Sequence, residues 1–314
     1  MLFSINFTKA RAIGFMILSS ACWGFATVMS KAGLEYIPPL HLLVIQLAAS
    51  ITFLWIAVLI INRHPSLNWK TIRYSFTGIL EPGLAYTFGL LGLTLTTASN
   101  ASIISSTEPV FIIFISWLFL RERITKHLLL FTVLAFTGVI LIVVVDITII
   151  KDSKFSFIGD MLILLGTFCA AIYVILSHKI IGNNKNISPL SLAAVQQTAG
   201  FISTTLIWFT GILSHEVMDF SSLNLEIWIL AIASGIIQYA LAFWFYLIAL
   251  KDVSASTAGL FLTLIPVFAL GAAYLFLNEN LVILQWLGAI LILTSVSSIS
   301  LIQQQSESQT IENK

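Results

Sequence analysis

A chain of 314 residues that is 58% hydrophobic and 9% charged, against about 25% charged for an ordinary soluble protein, does not have water as its main solvent. The net charge of +1 says nothing about nucleic acid in such a chain, but no basic patch stands out and no nucleic-acid partner is expected. The two cysteines, Cys22 and Cys169, both lie in apolar windows and lack disulfide or metal-ligand spacing, so no metal or cofactor is expected.

A bilayer-spanning helix needs roughly 20 mostly apolar residues, and such windows follow one another with only short polar breaks. They lack the apolar/polar alternation of an outer-membrane barrel, which leaves an all-α membrane protein. The first run follows Lys9 and Arg11 and outlasts a signal-peptide core, so it is kept as a membrane helix. Polar breaks divide the chain into ten spans. The first five are approximately Ala12–Leu34, Leu40–Ile61, Ile72–Leu95, Ala98–Leu120 and Leu128–Val145. The second five are approximately Ile158–Ile181, Leu190–Leu213, Ile227–Leu250, Ala255–Leu277 and Leu281–Ile302. Residues 303–314 are polar without periodicity and are expected to form a disordered tail.

The two sets are copies. Ile72–Ile124 lies without a gap on Ile229–Leu281, so that Gly78-Ile79 meets Gly235-Ile236, Ala98-Ser99 meets Ala255-Ser256, and Pro109-Val110-Phe111 meets Pro266-Val267-Phe268. Further back, Pro39-Leu40, Leu42, Gln46 and Ala49 match Pro189-Leu190, Leu192, Gln196 and Ala199. Five spans per copy is an odd number, so the second copy enters the membrane from the opposite side. The expected architecture is ten transmembrane helices arranged as two inverted five-helix repeats, 12–145 and 158–302. Lys and Arg favour the cytoplasmic side. Only Lys31, Lys151 and Lys154 fall outside when the amino terminus is inside, which places both termini in the cytoplasm.

Several short segments, in this order and in duplicate, carry a resemblance. They are Ala21-Cys22-Trp23-Gly24, Pro39-Leu40, Ala98 to Pro109 ending in Leu120-Arg121-Glu122-Arg123, Pro189, Ala255 to Pro266, and Leu277-Asn278-Glu279-Asn280 followed by Gln285-Trp286-Leu287-Gly288. With them the chain resembles the drug/metabolite transporter superfamily, specifically proteins built from two EamA-type domains. The resemblance implies a bacterial inner-membrane carrier that exports a small organic solute such as an amino acid. It implies alternating access through a central cavity enclosed by the first four helices of each half. Gln46 stands where that family commonly has Arg, so the resemblance gives no anion-pairing role here.

Ionisable groups inside a bilayer are costly and mark function. Glu81 and Glu108 each fall about halfway along a span. Glu81 matches Gln238, and the stripes Gly78, Glu81, Ala85, Phe88, Gly92 and Gly235, Gln238, Ala242, Phe245, Ala249 are either cavity walls facing each other or a packing seam. Glu108 precedes Pro109 on a polar stripe with Ser105 and Ala101, and its counterpart is Ile265. Pro109 and Pro266 leave carbonyls free four residues back and are either gating points or simple bends. Trp23, Tyr86, Tyr173, Tyr239 and Trp244 are candidate solute contacts, with core or lipid-facing bulk as the alternative. Gln46, Asn100, Gln196 and Gln197 are intramembrane amides suited to helix glue or to substrate contact. Glu122 and Glu279 end their spans and suit pairing with Arg or backbone amides. If protons drive transport, Glu81 is the expected proton carrier and Glu108 the substrate partner. No nucleophile–base set and no phosphate-binding loop lies in the spans, which argues against an enzyme or a nucleotide-driven pump.

Overall fold

The computed structural model describes residues 7–62, 69–95, 104–149, 157–184, 187–210, 223–277 and 282–312. Among them every regular element is helical. The first half runs α1 (Phe7–Gly33), α2 (Pro39–Asn62), α3 (Trp69–Ser75), a widened π-type turn (Ile79–Leu84) leading into α4 (Ala85–Leu95), α5 (Glu108–Ile115) with a second widened stretch (Ser116–Leu120), and α6 (Lys126–Ile149). The second half runs α7 (Phe157–Asn183), α8 (Pro189–Phe209), α9 (Leu225–Gly235), a widened turn (Ile236–Leu241) leading into α10 (Ala242–Ala249), α11 (Ala255–Leu262), α12 (Ile265–Leu277) and α13 (Ile283–Glu312).

Local chemistry sets the starts. Pro39 and Pro189 open α2 and α8, where a missing amide costs nothing. Asn224 caps α9 by accepting from Ile227 N (2.9 Å), and Ser254 caps α11 by accepting from Thr257 N (3.3 Å). The burial pattern suits lipid: Leu59, Ile60, Phe119, Leu206, Phe209 and Leu275 face outward, while Ser19, Ser20, Gln46, Ser50, Gln196 and Gln197 are inside. Ten spans in two inverted five-helix repeats make up the fold.

The repeats interleave. α1 packs on α10 and α12, α7 on α4 and α5, α2 on α9, α8 on α3, and the corresponding spans pack on each other through α2 with α8, α5 of the fourth span with α11 of the ninth, and α6 with α13. Exchanging the halves maps this set of pairs onto itself, as a pseudo-twofold axis requires. The axis can be located at single atoms. A Cβ on Gly138 would lie 2.7 Å from Gly288 O, and one on Gly288 would lie 2.5 Å from Gly138 O. Likewise Gly78 abuts the Gln196 backbone and Gly235 abuts the Gln46 backbone. The two halves therefore pack mainly on one another.

Three expectations change. The third span is broken instead of continuous: Glu81 is extended (φ −146, ψ 124) within its widened turn. Pro82 explains the break, because it has no amide to donate and it disfavours helical geometry at the residue before it. Second, the small stripe positions are a packing seam and do not face each other. A Cβ on Gly166 of α7 would meet Ala85 O at 2.7 Å, Ser19 Oγ donates to Ala242 O (2.8 Å), and Gly92 lies against Gly159 and Ile163. Small residues permit such close crossings, and these have been used by neighbouring helices. Third, the helix of α13 continues through 303–312, where a disordered tail was expected. A packed span supplies the costly nucleus, and Gln, Ser and Glu then extend it.

Candidate functional site

The two helix breaks and the aromatic positions converge on one centre. Glu81 leaves the third span at its extended residue and is 9% exposed, and Gln238, on the matching widened turn, is 8% exposed. Glu108 stands in the first turn of α5, just after a break at Ser106–Thr107 that is mirrored at Thr263–Leu264 before α12. Glu81 and Glu108 are close enough for their charges to interact. Both broken spans keep Pro109 and Pro266 within two to three residues of the break, so each bend is real and repeated. At the second break the Phe261 carbonyl, which accepts from Leu264 N (3.0 Å), also accepts from Ser20 Oγ of α1 (3.0 Å).

Aromatic rings wall this centre. Tyr86 and Tyr239 meet edge to face at 4.9 Å, Trp23 meets Phe243 at 5.1 Å and Tyr246 at 5.5 Å, and Tyr173 meets Phe243 at 5.7 Å. Tyr173, Tyr239 and Tyr246 all lie within electrostatic reach of Glu81, and Tyr246 also of Glu108. Trp244 is half-buried and its ring contact among the described residues is with Phe245. Asn100 lies outside the described residues.

Two polar knots flank the centre and mirror each other. In one, Gln46 Nε2 donates to Ser30 Oγ (2.9 Å) and Ser234 Oγ (2.8 Å), and Ser30 Oγ donates to Gln238 Oε1 (2.8 Å). In the other, Gln196 Nε2 donates to Thr77 Oγ1 (2.7 Å) and Ser177 Oγ (3.1 Å), and Tyr173 OH donates to Gln196 Oε1 (3.0 Å). Gln46 and Gln196 correspond in the repeat, as do Ser234 and Thr77. Each knot ties a second helix of one half to an eighth- or third-span helix of the other. The amides of Gln46 and Gln196 are thus engaged between helices, the first near the α1–α2 turn and the second near the α7–α8 turn. In an inverted repeat those are opposite ends of the bundle.

A third cross-half contact lies at Glu122. Arg121 ends the fourth span in the left-handed region (φ 55), turning the chain toward α11. Glu122 Oε1 accepts from Ala255 N (3.0 Å), and Oε2 accepts from Ser256 N (3.1 Å) and from the Ser256 hydroxyl. With Ser254 taking Thr257 N, the first three amides of α11 are all satisfied, and the negative carboxylate sits at the positive end of the helix. His178 Nε2 lies 3.8 Å from Glu122 Oε1.

Some members escaped the sequence reading. Pro82, Phe243 and Tyr246 stand opposite Tyr239, Tyr86 and Gly89 in the repeat, so comparing the halves did not pair them by type. A proline two-fifths of the way along an apolar span was the one signal available. Gln197 is fully buried and lies one turn before Gly200, whose face meets Pro82.

A family model described as the EamA-like transporter family matches residues 10–144 and 157–301. An uncharacterized transporter of Archaeoglobus fulgidus is 26% identical over 285 residues, 90% of this chain and 95% of its own. The uncharacterized transporter YdfC of Bacillus subtilis is 31% identical over 272 residues, 85% of this chain and 84% of its own. A crystal structure of a protein 14% identical superposes with a TM-score of 0.76, covering 94% of this chain and 98% of that one, which shows a shared fold.

Proposed function

Since the chain belongs to the EamA-like transporter family, matched over both of its halves, we propose that it is a secondary transporter that exports a small organic metabolite, such as an amino acid or amine, across the bacterial inner membrane. Both termini face the cytoplasm in this reading, and the solute passes without covalent chemistry.

The observation that carries it is the pair of mirrored knots on either side of an acidic, ring-walled centre. A carrier working by alternating access must close one side while opening the other, and equivalent closures built from equivalent residues have similar energies. The Gln46–Ser30–Ser234 knot closes the outer side and the Gln196–Ser177–Thr77 knot the inner. Each is worth only a few hydrogen bonds, about 1 kcal/mol apiece, so neither locks the protein. With both formed, the centre is occluded, and the broken spans around Glu81 and Glu108 supply the bends at which the helix ends swing. Proton coupling through Glu81, with Glu108 holding the solute, follows from their shared position beside the closures.

The test is flux. Proteoliposomes loaded with a defined mixture of amines, amino acids, sugars and nucleosides should lose one chemical class faster than protein-free vesicles, read by mass spectrometry. No class-selective loss, with or without a pH gradient, refutes transport and leaves a membrane scaffold.

A further inference from the structure

Three independent features of the centre bear on what it holds. The first is charge. Glu81 and Glu108 are close enough for their charges to interact, while among the described residues every Lys and Arg stands near a helix end or in a connection. Two carboxylates therefore lie within reach of each other, with no Lys or Arg beside them among the described residues. An ionised carboxylate there is expensive unless it is paired, so whatever enters must bring positive charge or leave a proton behind. A solute with its own carboxylate adds a third negative group and finds no basic side chain to meet it. Gln46 and Gln196 are already spent on Ser30, Ser234, Thr77 and Ser177.

The second feature is the wall. The faces and edges of Tyr86, Tyr239, Trp23, Phe243, Tyr246 and Tyr173 form a nearly continuous aromatic surface. Such surfaces attract cations as well as apolar bodies. The third is a set of buried polar atoms without a hydrogen-bond partner: Trp23 Nε1 (7% exposed), Tyr246 OH (1%) and both amide atoms of Gln197 (0%). Native interiors rarely leave such groups unpaired. Tyr246 OH is near enough to feel both carboxylates yet bonds neither.

We infer that the centre is built for a protonated amine without a carboxylate, carrying an apolar or aromatic body and one hydrogen-bond acceptor. This rests on the transporter reading of the same site and narrows it. The ammonium donates to Glu81, Glu108 and the Tyr246 hydroxyl, the body lies against the rings, and the acceptor takes the Trp23 N–H. An amino acid of the same side chain is a poorer ligand.

The test uses the purified full-length protein in detergent and calorimetric titration with four related probes. These are tyramine, tyrosine, 3-(4-hydroxyphenyl)propionate and phenethylamine. Tyramine should bind roughly tenfold or more tighter than tyrosine, and the propionate should not bind, because only the charged groups differ. Glu108→Gln should weaken tyramine by a similar factor and shrink its advantage over tyrosine. Trp23→Phe keeps a ring and removes the N–H. It should weaken tyramine about fivefold more than phenethylamine, the worth of one ordinary hydrogen bond. Folding of each variant is checked by its elution profile and melting curve. Tyrosine or the propionate binding as well as tyramine overturns the charge preference, as does no binding of any probe. Equal losses of both amines in Trp23→Phe overturn its role. Class-selective flux in the vesicle assay is read separately, so the inference can fall while the transporter reading stands.

Discussion

Gly78→Ala is the sharpest perturbation available, because its size can be worked out from one distance. A Cβ built on Gly78 lies 1.8 Å from the Gln196 carbonyl oxygen, whereas carbon–oxygen contacts between packed helices sit at about 3.3 Å or more. The obstacle is backbone and cannot rotate away, so α8 and the third span must separate by roughly 1.5 Å. Thr77 is the next residue, and its 2.7 Å bond from Gln196 Nε2 would then stretch past the distance at which a hydrogen bond survives. Overpacking of about 1–3 kcal/mol adds to about 1–3 kcal/mol for the buried amide left unmet. At the mirror position the clash is milder. A Cβ on Gly235 lies 2.5 Å from Gln46 O, so a separation of roughly 0.8 Å suffices and the 2.8 Å Gln46–Ser234 bond is weakened, not lost. Gly78→Ala should therefore cost about 2–6 kcal/mol and Gly235→Ala, through overpacking alone, about 1–3 kcal/mol, with Gly78→Ala the larger. Reversible denaturation by SDS in mixed micelles measures both. Equal costs, or a larger one at Gly235, would refute the reasoning.

Other outcomes are equally definite. Glu122→Ala uncovers the Ala255 and Ser256 amides at the start of α11 and should lower stability by about 2 kcal/mol, with Glu122→Gln costing less; a loss no larger than that of an exposed substitution in the same denaturation assay would remove the capping role. Glu81→Gln is expected to fold and exchange substrate for substrate while losing accumulation driven by a pH gradient in vesicles. If Glu108→Gln does that instead, the two roles are reversed. Tags at either terminus or in 63–73 should report cytoplasm and tags in 151–156 or 216–223 the outside, and a carboxyl terminus found outside refutes the orientation.

The repeat was legible because Gly and Pro recur in one ungapped register, which composition bias toward Leu and Ile cannot imitate. The inversion followed from an odd span count alone. Glu81, Gln238 and the tyrosines stood out for a physical reason too: polar atoms are conspicuous in a lipid-soluble sequence. What stayed hidden was direction. The stripe through Gly78, Ala85 and Gly92 has the spacing of a helix face, and only the structure shows that α7 and α8 occupy it. The break at Pro82 was masked by an apolar run that reads as continuous and by a repeat partner, Tyr239, of another kind. The choice between glue and ligand contact for Gln46 and Gln196 depended on serines and threonines from distant spans, brought near by a pairing of helices that local sequence does not encode.

The interleaving of the halves constrains how the protein is made. α1 finds its neighbours in α10 and α12, so once made it waits for most of the second half before its partners exist. Until then the polar side chains of α1 and α2, Ser19, Ser20, Ser30 and Gln46 among them, have no cross-half acceptors and must be shielded by the insertion machinery. Low local and high distant contact also means that the nascent first half has little to hold it together. A chain cut between α6 and α7 should accordingly be cleared by membrane proteases when made alone and persist when the missing half is co-expressed.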